Sequence, residues 1–196
     1  MRPFQPRRFW PVLAGPALLV LCSCGGSGAG SSAAASSYAT TLSYVNPPLS
    51  GYSLQAASGN NTSHLVLNLV GPSGSAAQGV SFFLSADPSK VAWSKGTGTP
   101  SYATPGNVFN LGATPQAFVT SVSAAGVLQV GIFQKGGTAT FGSAPIVTLA
   151  LDLAATTLAP GTSVALTVPQ QAVYVDGTGT VKPFATAIAV GTLVAN

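Results

Sequence analysis

Residues 64–70 read HLVLNLV, and residues 146–153 read IVTLALDL. Along HLVLNLV the three leucines fall on one side of an extended chain, and Asn68 falls on the other. IVTLALDL alternates in the same way, with Thr148 and Asp152 on the side away from its leucines. A period of two is typical of a half-buried β-strand. The two stretches therefore predict strands that each bury one face in a core.

Ten further segments carry strand patterns, the last of them as one strand or two. They are 40–45, 52–57, 79–86, 90–94, 107–111, 116–122, 127–134, 163–168, 172–176 and 180–194. Turn signals such as Pro160-Gly161 separate them, and residues 96–106 (GTGTPSYATPG) have the composition of a loop. Many short strands with Gly and Pro between them predict an all-β protein, an antiparallel β-sandwich or barrel. The leucine and valine stripes favour the sandwich, in which two sheets bury alternate residues against each other.

Charged residues make up only 5% of the 196-residue chain, and glutamate is absent. Surface helices usually carry Glu and Lys at i and i+4, so this composition argues against a helical protein. Three of the seven basic residues (Arg2, Arg7 and Arg8) precede an apolar run. The chain after Cys24 contains four lysines and three aspartates, so its net charge is +1. Nucleic-acid binding needs a clustered basic face, so nucleic acid is not an expected partner.

The N-terminal segment has the features of a secretory signal. Basic residues precede the apolar run 9–21, which is shorter than the roughly 20 residues that span a bilayer and is interrupted by prolines. The run ends in Leu21-Cys22-Ser23-Cys24, which resembles the lipobox of bacterial lipoproteins, with Leu at −3, a small residue at −1 and the lipid-bearing cysteine at +1. The resemblance implies a signal peptide over 1–23, lipidation of Cys24, and membrane anchoring in the bacterial cell envelope.

The two cysteines have weaker alternative interpretations. A C-x-C spacing strains a disulfide, and two thiols do not complete a zinc site. Arg7-Arg8 could belong to a twin-arginine export signal, but the rest of that motif is missing.

Residues 24–37 are expected to form the lipidated cysteine and a tether. The stretch GGSGAGSSAAASS has the composition of a flexible coil, with a root-mean-square reach of about 20 Å. By resemblance to lipoprotein sorting, Gly25 after the cysteine favours the outer membrane. The domain itself is then expected over 38–196.

Three stretches of this domain resemble cohesin domains. They are LVLNLVGPSGSAAQGVSFFLSADPSKVAW (65–93), GSAPIVTLALDLAATTLAPGTSVALTV (142–168) and VKPFATAIAVGTLV (181–194), the last resembling the closing strand with Gly191 near the expected glycine. The resemblance implies a jelly-roll β-sandwich, close in architecture to carbohydrate-binding modules. It also implies a protein module of the dockerin type as a partner.

Catalysis has few candidate groups in the expected mature chain, which holds one histidine, three aspartates and neither Glu nor a free Cys. His64 could in principle serve a Ser-His-Asp triad, but no Gly-x-Ser-x-Gly elbow surrounds any serine. We therefore expect an exposed histidine at a strand end, and neither an enzyme nor a cofactor or metal site.

Two aspartates have turn chemistry. Asp87 precedes Pro88 at a strand end, where its carboxylate can close a turn, with ligand contact as the less favoured alternative. Asp176 lies in VDGTGTV, which has one carboxylate where a calcium loop has several, so a hairpin turn explains it better.

Polysaccharide binding would use aromatic rings that stack on sugar faces. Tyr102, in the predicted loop, is the better surface candidate, whereas Trp93 shares a strand face with Val91 and is expected to pack in the core. The sequence thus predicts a lipid-anchored, non-catalytic module for a protein or polysaccharide, with Tyr102, Trp93 and Asp87 as candidate contacts. The alternative is a structural or assembly lipoprotein of an envelope complex.

Overall fold

The computed structural model describes residues 37–58, 61–96, 98–112 and 117–196. The predicted signal peptide, Cys24 and all of the tether except Ser37 lie outside these residues. Sixteen strands are found in the described ranges: β1 Leu42–Val45, β2 Ser53–Ser58, β3 His64–Val70, β4 Ala76–Ala77, β5 Gly79–Ala86, β6 Val91–Trp93, β7 Ala103–Pro105, β8 Ala117–Val122, β9 Val127–Phe133, β10 Ala139–Thr140, β11 Val147–Leu153, β12 Thr162–Val164, β13 Leu166–Thr167, β14 Val173–Val175, β15 Val181–Pro183 and β16 Thr192–Ala195. In these same ranges, no helix is long and apolar enough to cross a membrane.

The strands form two main sheets and two small ones. In the first sheet the order is β2-β3-β11-β6, and β7 also pairs with β11. In the second sheet the order is β15-β14-β5-β9-β8, and β13 also pairs with β5. A terminal sheet has the order β1-β16-β12, and β4 pairs with β10. All the strand pairs are antiparallel, which confirms the predicted all-β, antiparallel sandwich.

The core lies between the two main sheets and follows the alternation in the sequence. In β3 the three leucines are fully buried while Asn68 is only half-buried, and β11 repeats the pattern around Thr148. From the second sheet, β5 and β9 contribute large side chains such as Phe82 and Ile132 to the same hydrophobic cluster. Alternate residues of both sheets therefore fill one interior.

The predicted strand 107–111 is wrong, because this segment makes side-chain contacts in place of a ladder. Phe109 is buried against Phe141 with an edge-on ring contact, and the amide N–H of Asn110 donates to the side chain of Gln134 at 2.8 Å. The neighbouring β7, within the predicted loop 96–106, pairs with β11 instead. Tyr102 therefore lies directly before a strand that belongs to the first sheet.

The turns predicted at Asp87 and at Asp176 are both confirmed. Asp176 begins the turn that joins β14 to β15, where its carboxylate accepts hydrogen bonds from the N–H groups of Thr178 and Thr180. Lys182 lies 2.7 Å from the other carboxylate oxygen. The ammonium of Lys182 and these turn donors together hold the pKa of Asp176 well below its usual range.

Candidate functional site

The outer face of the second sheet carries two rows of side chains that run across five strands. Residues paired in register have their side chains on the same face of a sheet. The first row is Val181, Val175, Gly79, Phe133 and Ala117. The second row is Pro183, Val173, Ser81, Gly131 and Val119. We call these ten residues the apolar face, because none of them is charged and only Ser81 has a polar side chain.

The apolar face has a trough along its middle. Gly79 and Gly131 hold central positions in the two rows, and Ser81 is the only other small residue between the flanking valines. A groove of about 230 Å³ follows this trough. A Cβ placed on Gly131 would meet only the Ser81 hydroxyl, at 4.0 Å, so a side chain from elsewhere has space to enter here.

The walls of the trough are exposed. Val181 is 62% exposed and Val119 is 57% exposed, although both are aliphatic side chains on strands. An antiparallel sheet with one solvated face normally places polar residues on that face. Contiguous exposed apolar residues mark interaction sites on soluble proteins, so this face is the best candidate for a binding surface.

Trp93 lies in the core, as the sequence favoured. It is 6% exposed, next to the fully buried Leu151 in the register of β6 with β11, and its indole N–H donates to the carbonyl of Gly126 at 2.9 Å. The ring is therefore not available to stack on a ligand at the surface. Its role in the structure is to anchor the turn before β9.

Asp87 closes the turn between β5 and β6. Its carboxylate accepts a hydrogen bond from the Ser89 N–H at 3.0 Å and another from the Ser89 hydroxyl at 2.6 Å, and Lys90 lies 3.5 Å away. The hydrogen bonds from Ser89, with a smaller contribution from Lys90, lower the pKa of Asp87. These contacts agree with the turn-closing role that the sequence favoured.

Tyr102 lies at one end of the first sheet's outer face. Its ring is partly buried against the core, and the ammonium of Lys95 lies over the ring, 5.1 Å from its centroid. The backbone N–H of Tyr102 donates to the Thr120 hydroxyl at 3.1 Å, which ties the Tyr102 backbone to β8 of the second sheet. Tyr102 is thus a wall of a small groove that also includes Lys95, His64 and Thr104.

His64 is exposed at the start of β3, as expected from the sequence, and it pairs with Asp152. The two residues are opposite each other in the β3–β11 register, and His64 Nδ1 lies 2.5 Å from Asp152 Oδ1. Both side chains are about half exposed. Within the described part of the chain, no three His, Cys, Asp or Glu side chains come together in a way that could hold a metal ion.

The apolar face was not predicted from the sequence, although a signal for it exists. In GVSFFLSA, Phe82 and Phe83 are adjacent, so one of them has to lie on the outer face of a strand. In VYV (173–175) two valines share the side opposite Tyr174, and Tyr174 packs on the core. Strands that are apolar on both sides indicate that both faces are covered.

Comparison with solved structures identifies the fold. No family model and no curated protein matches the chain. The sixth cohesin of scaffoldin B from Acetivibrio cellulolyticus, solved with a mutant Cel5 dockerin, matches 73% of this chain and 97% of its own length, with a TM-score of 0.53 at 18% identity. A type II cohesin domain from the cellulosome of the same organism matches 80% of this chain and 94% of its own length, with a TM-score of 0.49 at 11% identity. A non-cellulosomal cohesin from Archaeoglobus fulgidus matches 78% of this chain and 89% of its own length, with a TM-score of 0.47 at 16% identity. The first of these likenesses shows that the chain has a cohesin-like β-sandwich fold.

Proposed function

We propose that this protein is a lipid-anchored component of the bacterial cell envelope, located in the outer membrane by its sorting signal, and that its β-sandwich is a non-catalytic module that binds a protein partner. The observation that carries the binding function is the apolar face, with its trough at Gly131 between exposed valines. A protein side chain inserted in such a trough, ringed by aliphatic contacts, is the usual form of an interface hot spot.

The fold supports a protein as the partner. The Acetivibrio cellulolyticus cohesin that this chain resembles was solved in complex with a dockerin. A dockerin-like module is therefore the partner class that the fold favours. The ten residues of the apolar face bear no charge, so the matching surface of the partner should be apolar, with few charged groups at its centre.

Membrane anchoring is proposed from the sequence. Lipidation of Cys24, at the start of the tether that the sequence predicts over 24–37, would attach the protein to the bilayer. The second candidate function, a structural or assembly lipoprotein of an envelope complex, uses the same face and differs in the identity of the partner.

Site-specific photo-crosslinking tests the proposal in cells. A photoreactive phenylalanine analogue is placed at Val119 on the apolar face, and at Ala92, an exposed residue of β6 in the first sheet, as the matched control. We expect one partner protein to be captured from position 119 and not from position 92. The capture should disappear when Val173, which lies in the same row, is changed to Asp.

The identity of the captured protein decides between the two candidates. A separately folded module in a soluble or surface-bound protein supports the cohesin-like role, and an integral component of an envelope complex supports the assembly role. Capture of the same proteins from both positions, or of only a second copy of this chain, would contradict a partner-binding face.

A further inference from the structure

A separate row of side chains crosses the outer face of the first sheet. The strands of this sheet do not contribute to the apolar face. The row consists of Gln55 on β2, Asn68 on β3, Thr148 on β11 and Thr104 on β7, each opposite the next in register. We call it the polar row. All four side chains are polar and uncharged. Three steps between strands, each of about 4.8 Å, give the row a length of roughly 14 Å.

Hydrogen bonds within the polar row and to residues beside it fix the orientation of its amides. The Thr148 hydroxyl donates to the Asn68 carbonyl oxygen at 2.8 Å, and the Gln55 amide nitrogen donates to the Pro47 carbonyl oxygen and to the Ser53 hydroxyl. The other half of each amide, the Asn68 NH₂ donor and the Gln55 carbonyl acceptor, makes no hydrogen bond within the described residues, nor does the Thr104 hydroxyl. Free donors and acceptors therefore follow one another along the row.

A groove of about 740 Å³ continues from the Gln55 end of the row. It contains Asn68 and Gln55 together with Asn46, whose carbonyl oxygen accepts a hydrogen bond from the Ala56 N–H at 2.7 Å. That bond leaves the NH₂ group of Asn46 without a partner in the described part of the chain. Leu49, which is 78% exposed, lines the same groove and adds an apolar contact. None of the residues that line it is charged.

Among the described residues, the charged groups near the row lie at its other end, and they are already engaged. His64 and Asp152 pair with each other, and Lys95 lies over the Tyr102 ring. An ionic ligand thus finds no free counter-charge along the 14 Å of the row. A neutral polyhydroxylated ligand suits it, because a sugar hydroxyl can accept from the Asn68 NH₂ group, donate to the Gln55 side-chain oxygen, and do either with the Thr104 hydroxyl.

We propose that the polar row and its groove form a binding site for a stretch of a neutral polysaccharide chain, about 14 Å long. At one end of this site Leu49 contacts the C–H side of a sugar ring, and at the other end Tyr102 forms the wall. This inference does not depend on the proposed protein partner, since the two sites lie on different sheets. One module could then hold a glycan and a protein at the same time.

The test is affinity electrophoresis of the full-length protein in gels that contain one soluble polysaccharide each. The probes are mixed-linkage β-glucan, xyloglucan and galactomannan as neutral polymers, and polygalacturonate as the charged comparison. We expect retardation by at least one neutral polymer and none by polygalacturonate. In a Thr104→Val, Asn68→Ala double variant the affinity should fall at least about tenfold, because two direct hydrogen bonds are lost.

Two further variants separate the possible outcomes. Val119→Asp changes only the apolar face, so retardation by the neutral polymer should stay unchanged. The glycan test can therefore succeed or fail independently of the protein-partner proposal. Thr104→Val alone removes one exposed hydroxyl that has no partner in the described structure, and it serves if the double variant does not fold. Mobility that none of the three neutral polymers changes, equal retardation of the wild type and the polar-row variants, or a preference for polygalacturonate would each overturn the proposal.

Discussion

The amide N–H of Gly191 donates a hydrogen bond to the phenolic oxygen of Tyr44 at 2.6 Å. The same hydroxyl donates to the carbonyl of Leu54 at 3.3 Å, and Tyr44 is only 1% exposed. One buried hydroxyl thus joins the first strand, the second strand and the residue before the last strand. Because a buried N–H without its acceptor is costly, we expect Tyr44→Phe to lower the free energy of unfolding by about 1–3 kcal/mol.

Urea denaturation of Tyr44→Phe and of Tyr38→Phe measures this effect. Tyr38 is 52% exposed, so loss of its hydroxyl should change the stability by less than about 0.5 kcal/mol. Equal midpoints for the two variants, at an unchanged m-value, would show that the Tyr44 hydroxyl does not stabilise the fold.

Two glycines with similar backbone angles should differ in their tolerance of a methyl group. Gly126 has φ of 74° and Gly74 has φ of 79°, a region where an L-residue pays about 1–2 kcal/mol. A Cβ at Gly126 would also lie 2.2 Å from the carbonyl oxygen of Ala86, whereas at Gly74 it would meet nothing within 4 Å. We expect Gly74→Ala to cost about 1–2 kcal/mol and Gly126→Ala about 1–3 kcal/mol more.

Thermal or urea unfolding of the two alanine variants gives this difference directly. Since the backbone angle is nearly the same, the gap between them isolates the clash with Ala86 and Pro88. Similar losses of stability in both variants would mean that the turn before β9 can move to admit the methyl group.

Gly131 should tolerate a larger side chain in the folded protein but not in the complex. Gly131→Val adds a β-branched residue to a strand where a Cβ has space, so stability should stay the same or rise by up to about 1 kcal/mol. The new side chain fills the trough of the apolar face, and we expect at least tenfold weaker capture of the protein partner. Ser121→Val, in the neighbouring row beside Gln129, is the control that adds a similar group outside the trough.

The sequence predicted the strands well where one face of each is buried, because the alternation is local. It predicted β3, β5, β9 and β11 in this way, and both aspartate turns. The error at 107–111 has a tertiary cause. Phe109 is buried because its ring packs against Phe141, and not because it lies on the inner face of a strand. Short pairs such as β4 with β10 carry no periodic pattern at all.

The candidate sites could not be predicted because they depend on register. Asn68 and Thr148 are 80 positions apart in the chain, and His64 and Asp152 are 88 positions apart. Each residue is an ordinary outward-facing polar side chain until the antiparallel pairing of β3 with β11 places it opposite its partner. The apolar face likewise arises only when five strands bring their outer residues into two rows.

Lipidation at Cys24 is expected to decide where the protein is found in the cell. Cys24→Ala removes the sulfur that would carry the diacylglycerol, so the protein should lose incorporation of labelled fatty acid and move from the membrane to the soluble fraction. Cys22→Ala is the matched control and should keep both, because the lipobox reading discards Cys22 with the signal peptide. Loss of labelling in Cys22→Ala with retention in Cys24→Ala would assign the lipid to the other cysteine.

Asp176 should make the stability of the sandwich depend on pH in the acid range. The Lys182 ammonium and the turn donors of Thr178 and Thr180 lower the pKa of Asp176 in the folded protein, whereas an unfolded aspartate titrates near 3.9. The unfolded chain therefore binds the proton first as the pH falls. The contribution of Asp176 is complete at neutral pH and is lost as the pH drops below about 4.

Asp176→Asn isolates this contribution. We expect the variant to be less stable than the wild type at pH 7, and the gap between their urea midpoints to shrink steadily between pH 4 and pH 2. Lys182→Met should also reduce the stability at pH 7, because it removes the largest cause of the lowered pKa while leaving the hydrogen bonds from Thr178 and Thr180 in place. A gap between wild type and Asp176→Asn that stays constant from pH 7 to pH 2 would show that the carboxylate stabilises the hairpin by its shape alone and not by its charge.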